Sequence, residues 1–184
     1  MPILILCDIQ SAFKDLMPAF GSMLKVADLS LKAASIAKWP VIVTEQAPKK
    51  LGGTVKELTL PEDVHLFPKT KFSCVTDDSE PLFDELLKTE KQVAIVGLET
   101  HICVKQTARD LSKKGFKVSI LADGVCSQRQ FDRIYAFESM RHMPNVDVTT
   151  FESFIFEQLE DAKNPNFRGL SRLVRETRPD PQLL

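Results

Sequence analysis

Three residues with reactive side chains, Asp8, Lys69 and Cys103, stand at the ends of predicted strands. A cysteine nucleophile needs a base that accepts its proton, and a nearby cation stabilises the thiolate that forms. A carboxylate and an ammonium group could supply both functions without a histidine. Each residue also has a structural explanation: a turn cap for Asp8, a solvated surface charge for Lys69 and inert packing for Cys103. The shared position of all three at strand ends favours cysteine chemistry over three separate structural roles.

The segment 97–104 places Cys103 between a strand and a helix. The β-branched run at 92–96 predicts a buried strand, and apolar residues at helical spacing predict a helix over 101–114. Backbone N–H groups at a helix start are unpaired, and the helix dipole is positive there, so a thiolate at Cys103 would be stabilised.

Strands and helices alternate along the chain. The predicted strands span 2–7, 41–44, 64–68, 92–96, 117–121 and 146–150. The predicted helices span 23–38, 81–87, 101–114, 128–142, 153–160 and 166–177. This alternation predicts an α/β fold with three layers, α/β/α, around a Rossmann-like parallel sheet of six strands in the order 3-2-1-4-5-6. We expect a single domain over 1–184, with a tail at 178–184.

In such a sheet a ligand binds at the carboxyl ends of the strands, beside the point where the strand order reverses. Strands one and four flank that point in the predicted order. Asp8 ends strand one and Cys103 follows strand four. The two residues are therefore expected to meet in one crevice.

The composition argues against several classes of protein: nucleic-acid-binding, membrane-spanning and structural zinc proteins. The 24 Lys and Arg residues balance 25 Asp and Glu residues, which gives no electrostatic surface for nucleic acid. No apolar run reaches the roughly 18 residues of a membrane span, and the N-terminus does not resemble a signal peptide. We expect a cytoplasmic protein with no membrane partner, and organelle import stays open. The four cysteines lie far apart, so reduced thiols are expected and a structural zinc site is not.

Three segments resemble the motifs of the isochorismatase-like cysteine hydrolase family. Segment 8–13 is similar to Asp-x-Gln-x-x-Phe, segment 69–73 to Lys-x-x-(aromatic)-Ser, and segment 97–104 to Gly-x-x-Thr-x-x-Cys-Val. The similarity covers residues 1–160. It is closer to the subgroup of isochorismatase-domain-containing proteins, on segments 44–46, 69–73, 99–101 and 107–108.

The resemblance implies a Cys-Asp-Lys triad. Cys103 would be the nucleophile, Asp8 the proton acceptor and Lys69 the cation. Lys71 is the second choice for the cation, because residues two apart on a strand share a face. The spacing to the aromatic and serine positions of the motif favours Lys69.

The resemblance also implies a cis peptide between Leu98 and Glu99, which would aim the N–H of Glu99, with that of Cys103, at a developing oxyanion. Substrate contacts are implied at five further positions: Gln10, Phe13, Gln46, Phe72 and Thr100.

Two features argue against other site chemistries. Nicotinamidases of this family bind a metal through Asp-x-His near the end of strand two. This chain has Thr44-Glu45-Gln46 there, with no earlier histidine, so no metal and no cofactor are expected. His101 is not assigned to the site, because residues two apart at a helix start point in different directions. Of the other cysteines, Cys7 is interpreted as packing, and Cys74 and Cys126 as structural or surface thiols.

The function implied is a metal-independent hydrolase of a small amide, carbamoyl or ester-type substrate, through a covalent thioester-like intermediate. A non-catalytic binding or scaffold protein of the same fold is the alternative. A ribonuclease is a third hypothesis, and the charge balance does not favour it. Partners would be a small-molecule substrate and, by resemblance, other copies of the chain. An apolar cluster is expected to contribute to self-association: Phe151, Phe154, Ile155 and Phe156.

Overall fold

The computed structural model describes residues 1–176. Its sheet has six strands: β1 Pro2–Cys7, β2 Val41–Gln46, β3 His65–Lys69, β4 Gln92–Leu98, β5 Lys117–Cys126 and β6 Val146–Thr149. Every pairing is parallel, and the strand order is β3-β2-β1-β4-β5-β6. The predicted fold class and strand order are confirmed.

Helices connect the strands. They are α1 Phe20–Ala37, α2 Pro48–Leu51, α3 Glu80–Leu86, α4 Lys105–Lys114, α5 Gln130–Arg141, α6 Phe151–Leu159 and α7 Phe167–Val174. A 3-10 turn spans Ser11–Phe13, and a π-helical turn spans Thr100–Val104, directly before α4. Within residues 1–176 no helix combines the length and the apolar character needed to cross a bilayer.

The inner strands β1, β2, β4 and β5 bury both of their faces, and alternate residues enter different halves of the core. In β1, Leu4 and Leu6 belong to the apolar cluster that includes side chains of α1, α6 and α7. Ile3 and Ile5 belong to the cluster that includes side chains of α3, α4 and α5. The sheet is thus the middle layer of three, and only its strand ends are available for a site.

Several element boundaries differ from the sequence predictions. β5 continues to Cys126 rather than ending at residue 121, and α2 lies between the second and third strands, where no helix was predicted. The predicted helix at 101–114 begins as a π-helical turn. Thr177 of the last predicted helix and the predicted tail at 178–184 lie outside the described residues.

The apolar cluster near the C-terminal end does not form the expected surface. Phe151, Phe154 and Ile155 are at most 1% exposed and pack in the core, whereas Phe156 is 43% exposed. The helical period of α6 turns three of the four side chains inward. The prediction that this cluster contributes to self-association was therefore wrong. The exposed apolar side chains of the described chain include a group on α5: Phe131, Ile134 and Tyr135.

Candidate active site

The carboxyl ends of three neighbouring strands bring the candidate residues together. Cys7 at the end of β1 pairs with Thr44 of β2 on one side and with Gly97 of β4 on the other. Gln46 at the end of β2 pairs with Lys69 at the end of β3. Asp8 directly follows β1. The strand order therefore gathers residues that are far apart in the sequence.

Asp8 and Lys69 form a buried ion pair. Lys69 Nζ donates to Asp8 Oδ2 at 2.7 Å, and the two side chains are 0% and 2% exposed. Lys69 Nζ also donates to Gln46 Oε1 at 2.8 Å and to the carbonyl oxygen of Phe72 at 3.0 Å. These acceptors surround the ammonium group and fix its position.

The charge state of Lys69 follows from its neighbours. Burial by itself would lower the pKa of Lys69, but its electrostatic interactions with Cys7, the Asp8 carboxylate and the other nearby cysteines outweigh burial and raise the pKa overall. Lys69 therefore remains a cation at neutral pH.

Lys71 lies outside this arrangement, with an exposed side chain. The prediction chose Lys69 by the spacing of the motif and kept Lys71 as the second choice, because residues two apart on a strand share a face. β3 ends at Lys69, so that rule does not extend to Lys71. Only the carbonyl oxygen of Lys71 reaches the site, where Lys69 Nζ lies 3.3 Å away.

Thr44 orients the Asp8 carboxylate from the other side. Its hydroxyl donates to Asp8 Oδ1 at 2.7 Å. Asp8 has a positive φ of 54°, a conformation that few residues other than glycine adopt and that aspartate tolerates better than most. From the sequence, Thr44 was only part of a segment that resembles the family subgroup, and it was assigned no role in the site. Its position at the end of the strand paired with β1 is the signal that could have identified it.

Cys103 lies in the π-helical turn, 7% exposed, in the same apolar cluster as Cys7 and Cys74. Gly97 allows the chain to approach β1 closely: its φ is +122°, and a Cβ atom there would lie 2.1 Å from the carbonyl oxygen of Cys7. The Leu98–Glu99 peptide bond is cis, at the position that the resemblance implied. Cys103 also lies close enough to the ammonium group to contribute to the raised pKa of Lys69.

The predicted substrate-binding glutamines have structural partners. Gln10 is fully buried, and its Nε2 donates to the carbonyl oxygens of Gln46 and Gly52 while its Oε1 accepts from the N–H of Gln46. Gln46 uses its Oε1 for Lys69 and its Nε2 for the carbonyl oxygen of Thr70. Both side chains position the segments around Lys69, and their contact with a substrate stays a prediction.

The other three predicted substrate contacts differ in exposure. Phe72 is 50% exposed, and Phe13 is half-buried against the core. Thr100 is fully buried, and its hydroxyl has no hydrogen-bond partner among the described residues. Because a buried polar atom without a partner is costly, the Thr100 hydroxyl is a candidate donor to a ligand.

His101 does not join the candidate triad. Its Nδ1 lies 3.0 Å from Ser127 Oγ and 3.8 Å from Glu99 Oε2, and its Nε2 lies 4.0 Å from Asp132 Oδ2. These partners belong to the ends of β4 and β5 and to α5. The described partners of the ring are thus separate from the hydrogen bonds that hold the Asp8–Lys69 pair.

The end of β2 offers no free metal donors of the kind expected of a nicotinamidase. Thr44 is bonded to Asp8, Gln46 to Lys69, and Glu45 Oε1 accepts from the N–H and the hydroxyl of Thr54. Among residues 1–176 there is no group of three His, Cys, Asp or Glu side chains suited to hold a metal ion.

The candidate site is nearly closed to solvent, since Asp8, Lys69 and Cys103 are 1%, 5% and 7% exposed. A cavity of about 680 Å³ borders Lys69 between α2 and the segment 76–78, but neither Asp8 nor Cys103 lines it.

Comparisons with known proteins agree with this fold. The isochorismatase domain profile matches residues 2–153. Isochorismatase domain-containing protein 1 of Salmo salar is 38% identical over 178 residues, which are 97% of this chain and 62% of that protein. The chain therefore spans less than two thirds of that relative's length.

The solved structures that resemble the chain include two that differ in their degree of similarity. A structure titled MAR1 ribonuclease from Caenorhabditis elegans has a TM-score of 0.92 at 34% identity, covering 100% of this chain and 94% of the other. The YcaC gene product of Escherichia coli, titled an octameric hydrolase of unknown specificity, has a TM-score of 0.72 at 20% identity, covering 94% and 85%. The second likeness concerns the fold alone.

Proposed function

The chain belongs to the isochorismatase family, and from that premise we propose that it is a metal-independent cysteine hydrolase of small amide, carbamoyl or ester substrates. The observation that carries the proposal is the buried Asp8–Lys69 ion pair at the strand ends, 2.7 Å between Nζ and Oδ2, with Lys69 close enough to Cys103 for the two to interact electrostatically. A buried ion pair is costly to maintain, and active sites are where such pairs are often kept.

The proposed reaction begins with the Cys103 sulfur. It attacks the carbonyl carbon of the substrate while its proton passes to the Asp8 carboxylate. The N–H groups of Glu99 and Cys103 donate to the oxyanion that develops, and the Thr100 hydroxyl is a further donor. The leaving amine or alcohol takes the proton from Asp8, and a thioester remains on Cys103.

Water completes the cycle. Asp8 accepts a proton from the water as it attacks the thioester carbonyl, and then returns this proton to the departing Cys103 sulfur, so that the free thiol, the Asp8 carboxylate and the acid product are formed. Lys69 remains charged throughout and balances the single negative charge, whether it is on Asp8, on the sulfur or on the oxyanion. The number of charges therefore does not change in any step, and no metal ion is needed.

Turnover and trapping test this proposal. The purified chain is assayed against a panel of small amides, carbamoyl compounds and esters, with intact-mass analysis of the protein quenched in acid during turnover. We expect hydrolysis and an acyl adduct on Cys103, and both disappear in Cys103→Ser. Cys126→Ser is the matched control because it also changes a buried cysteine but leaves activity intact. Turnover that survives Cys103→Ser, or that chelators abolish, would refute the mechanism.

Thiol reactivity separates the hydrolase from the scaffold hypothesis without a known substrate. Iodoacetamide should label Cys103 before the other cysteines. Lys69→Met should slow that labelling at least about tenfold near neutral pH, the equivalent of one pKa unit, because a thiolate loses its counter-charge. Lys71→Met should change it much less, because an exposed charge is screened by water and salt. An inert Cys103 would favour a non-catalytic protein.

The similar structure from Caenorhabditis elegans is named a ribonuclease, and ribonuclease activity is therefore a second candidate function. The net charge of −1 supplies no broad cationic surface for RNA phosphates. Salt-dependent binding of single-stranded RNA, followed by its cleavage, would be needed to favour this function over the hydrolase.

We also propose that the chain self-associates through the exposed face of α5. Phe131 and Tyr135 are 68% and 56% exposed, and their ring centroids lie 4.6 Å apart. Such apolar groups on a surface favour contact with another protein surface. Light scattering should give a mass above one chain, and Phe131→Ser should lower it. A monomer at micromolar concentration would contradict the proposal.

A further inference from the structure

Cys74 is bonded to three neighbouring parts of the fold, and the proposed hydrolysis gives it no role. It lies in the segment between β3 and α3 and is 0% exposed. Its Sγ lies 3.3 Å from Thr44 Oγ1 of β2, and its N–H donates to Thr107 Oγ1 of α4 at 2.9 Å. Its carbonyl oxygen accepts from Ser79 Oγ at 2.6 Å, directly before α3. Hydrogen bonds therefore fix the backbone of Cys74 on both sides and direct its thiol at Thr44.

The hydrogen of the Thr44 hydroxyl is already in use. Thr44 Oγ1 donates to Asp8 Oδ1 at 2.7 Å, and an ionised carboxylate can only accept. Because a hydroxyl has a single hydrogen, Thr44 Oγ1 can bond with the Cys74 thiol only as the acceptor. The other described partner of this thiol is Cys7 Sγ at 3.7 Å, but sulfur is the weaker acceptor and lies further away. The hydrogen bonds therefore run in one direction, from Cys74 to Thr44 and from Thr44 to Asp8.

Thr107 connects Cys74 to the helix of the proposed nucleophile. The π-helical turn that holds Cys103 continues directly into α4, and Thr107 follows Cys103 by about one helical turn. Thr107 is 0% exposed, so its hydroxyl meets the Cys74 N–H inside the core. Cys74 thus lies between the helix that carries Cys103 and the threonine that holds Asp8.

We propose that Cys74 is a positioning residue for the proposed hydrolysis, on which this inference rests. Its thiol orients the Thr44 hydroxyl toward Asp8 Oδ1, and Lys69 Nζ donates to Oδ2, so the carboxylate is held at both oxygens. Its N–H fixes this arrangement relative to the helix of Cys103. Proton transfer from Cys103 to Asp8 requires the two groups to be within hydrogen-bond reach. A misplacement of about 1 Å can slow such a reaction about a hundredfold.

Infrared spectroscopy tests the direction of the hydrogen bond without a substrate. The S–H stretching band of a thiol moves to lower wavenumber when the thiol donates a hydrogen bond. Difference spectra against Cys74→Ala and Cys126→Ala assign the bands of these two cysteines. We expect the Cys74 band to move to higher wavenumber in Thr44→Val, which removes the acceptor, and to keep its position in Thr44→Ser. A Cys74 band that does not move in Thr44→Val would overturn the inference.

Steady-state kinetics tests the positioning role on the best substrate of the panel. Cys74→Ala and Thr44→Val should lower kcat at least about tenfold and leave KM within about twofold, because the chemical step and not binding is impaired. Cys74→Ser should regain most of kcat, since a serine hydroxyl can also donate to Thr44. A cysteine that only packs would instead tolerate alanine better than serine, which buries a further hydroxyl. Cys126→Ala is the matched control, and Thr44→Val serves alone if Cys74→Ala fails to fold.

Wild-type kcat in Cys74→Ala, or equal losses of kcat in Cys74→Ala and Cys74→Ser, would overturn the positioning role. Either result could occur with hydrolysis by Cys103 intact. Failure of the proposed function would instead appear as a wild type without turnover and with an unreactive Cys103. In that case the positioning role falls with the proposed function, and the infrared bands alone decide whether Cys74 donates to Thr44.

Discussion

Replacing Lys69 by methionine would leave the Asp8 carboxylate buried without its counter-ion. The ammonium group is 2.7 Å from Asp8 Oδ2, and the two side chains are 0% and 2% exposed. Removing one partner of a buried pair typically costs about 3–5 kcal/mol, because the remaining charge loses its compensation. Methionine fills a similar volume, so the cost comes from charge rather than from a cavity. We expect Lys69→Met to lower the free energy of unfolding by this amount at neutral pH.

The pH dependence of this loss has a definite sign. The raised pKa of Lys69 keeps the wild-type pair intact below the ordinary lysine value of 10.5, and its contribution is lost only as the pH rises above it. In the variant, the folded state gains by protonating the unpaired carboxylate at a pH where the unfolded state does not. The folded variant then binds more protons, so its stability falls as pH rises, by up to about 1.4 kcal/mol per pH unit. The deficit relative to wild type should therefore shrink on acidification.

Urea unfolding of four proteins measures these quantities: wild type, Lys69→Met, Asp8→Asn and the double variant. The double variant should recover at least about 2 kcal/mol relative to Lys69→Met, because no charge is left unpaired. Lys71→Met is the matched control and should lie within about 0.5 kcal/mol of wild type, since its side chain is exposed. The reasoning is refuted if the two lysine variants lose stability equally, or if the loss in Lys69→Met does not change with pH.

Two further predictions concern the glycine that closes the site and the cysteine outside it. Gly97→Ala should cost at least about 3 kcal/mol, because its Cβ would lie 2.1 Å from a backbone carbonyl oxygen of β1. Gly21→Ala in α1 meets nothing within 4 Å and should be neutral or stabilising, and equal denaturation midpoints for the two variants would contradict this. Burial raises the pKa of Cys126 to about 12, so in native protein at about pH 8 it should stay unalkylated and react only after unfolding. Peptide mapping that finds Cys126 labelled before Cys103 would contradict this.

The sequence predicted the parts of the site that depend on strand ends. Alternating strands and helices imply a parallel sheet, and in the order 3-2-1-4-5-6 the end of β1 must adjoin the ends of β2 and β4. That constraint was enough to expect Asp8 near Cys103. The choice of Lys69 over Lys71 needed the motif as well, because the residue at which β3 ends is set by its pairing with β2.

Features that depend on three-dimensional packing were missed. Thr44 contacts Asp8 and Cys74 only because β1 and β2 are in register and the segment after β3 folds back over them. The orientation of α6 could not be read from its apolar cluster, since three of four apolar neighbours turned inward against the core of this chain. A run of apolar residues indicates burial, but not whether the same chain or another one provides it.

In the proposed mechanism, the Asp8–Lys69 pair would allow cysteine chemistry without a histidine base. When a cysteine and a neutral histidine exchange a proton, two neutral groups become two charges, which is unfavourable in a closed site. When Cys103 gives its proton to Asp8, a negative charge only moves from the carboxylate to the sulfur. Lys69 is already charged and fixed by Gln46 and by the carbonyl oxygen of Phe72, so no new charge has to be solvated. The charged groups lose their hydration when the protein folds, and not during the reaction. In this sense the proposed site is preorganised.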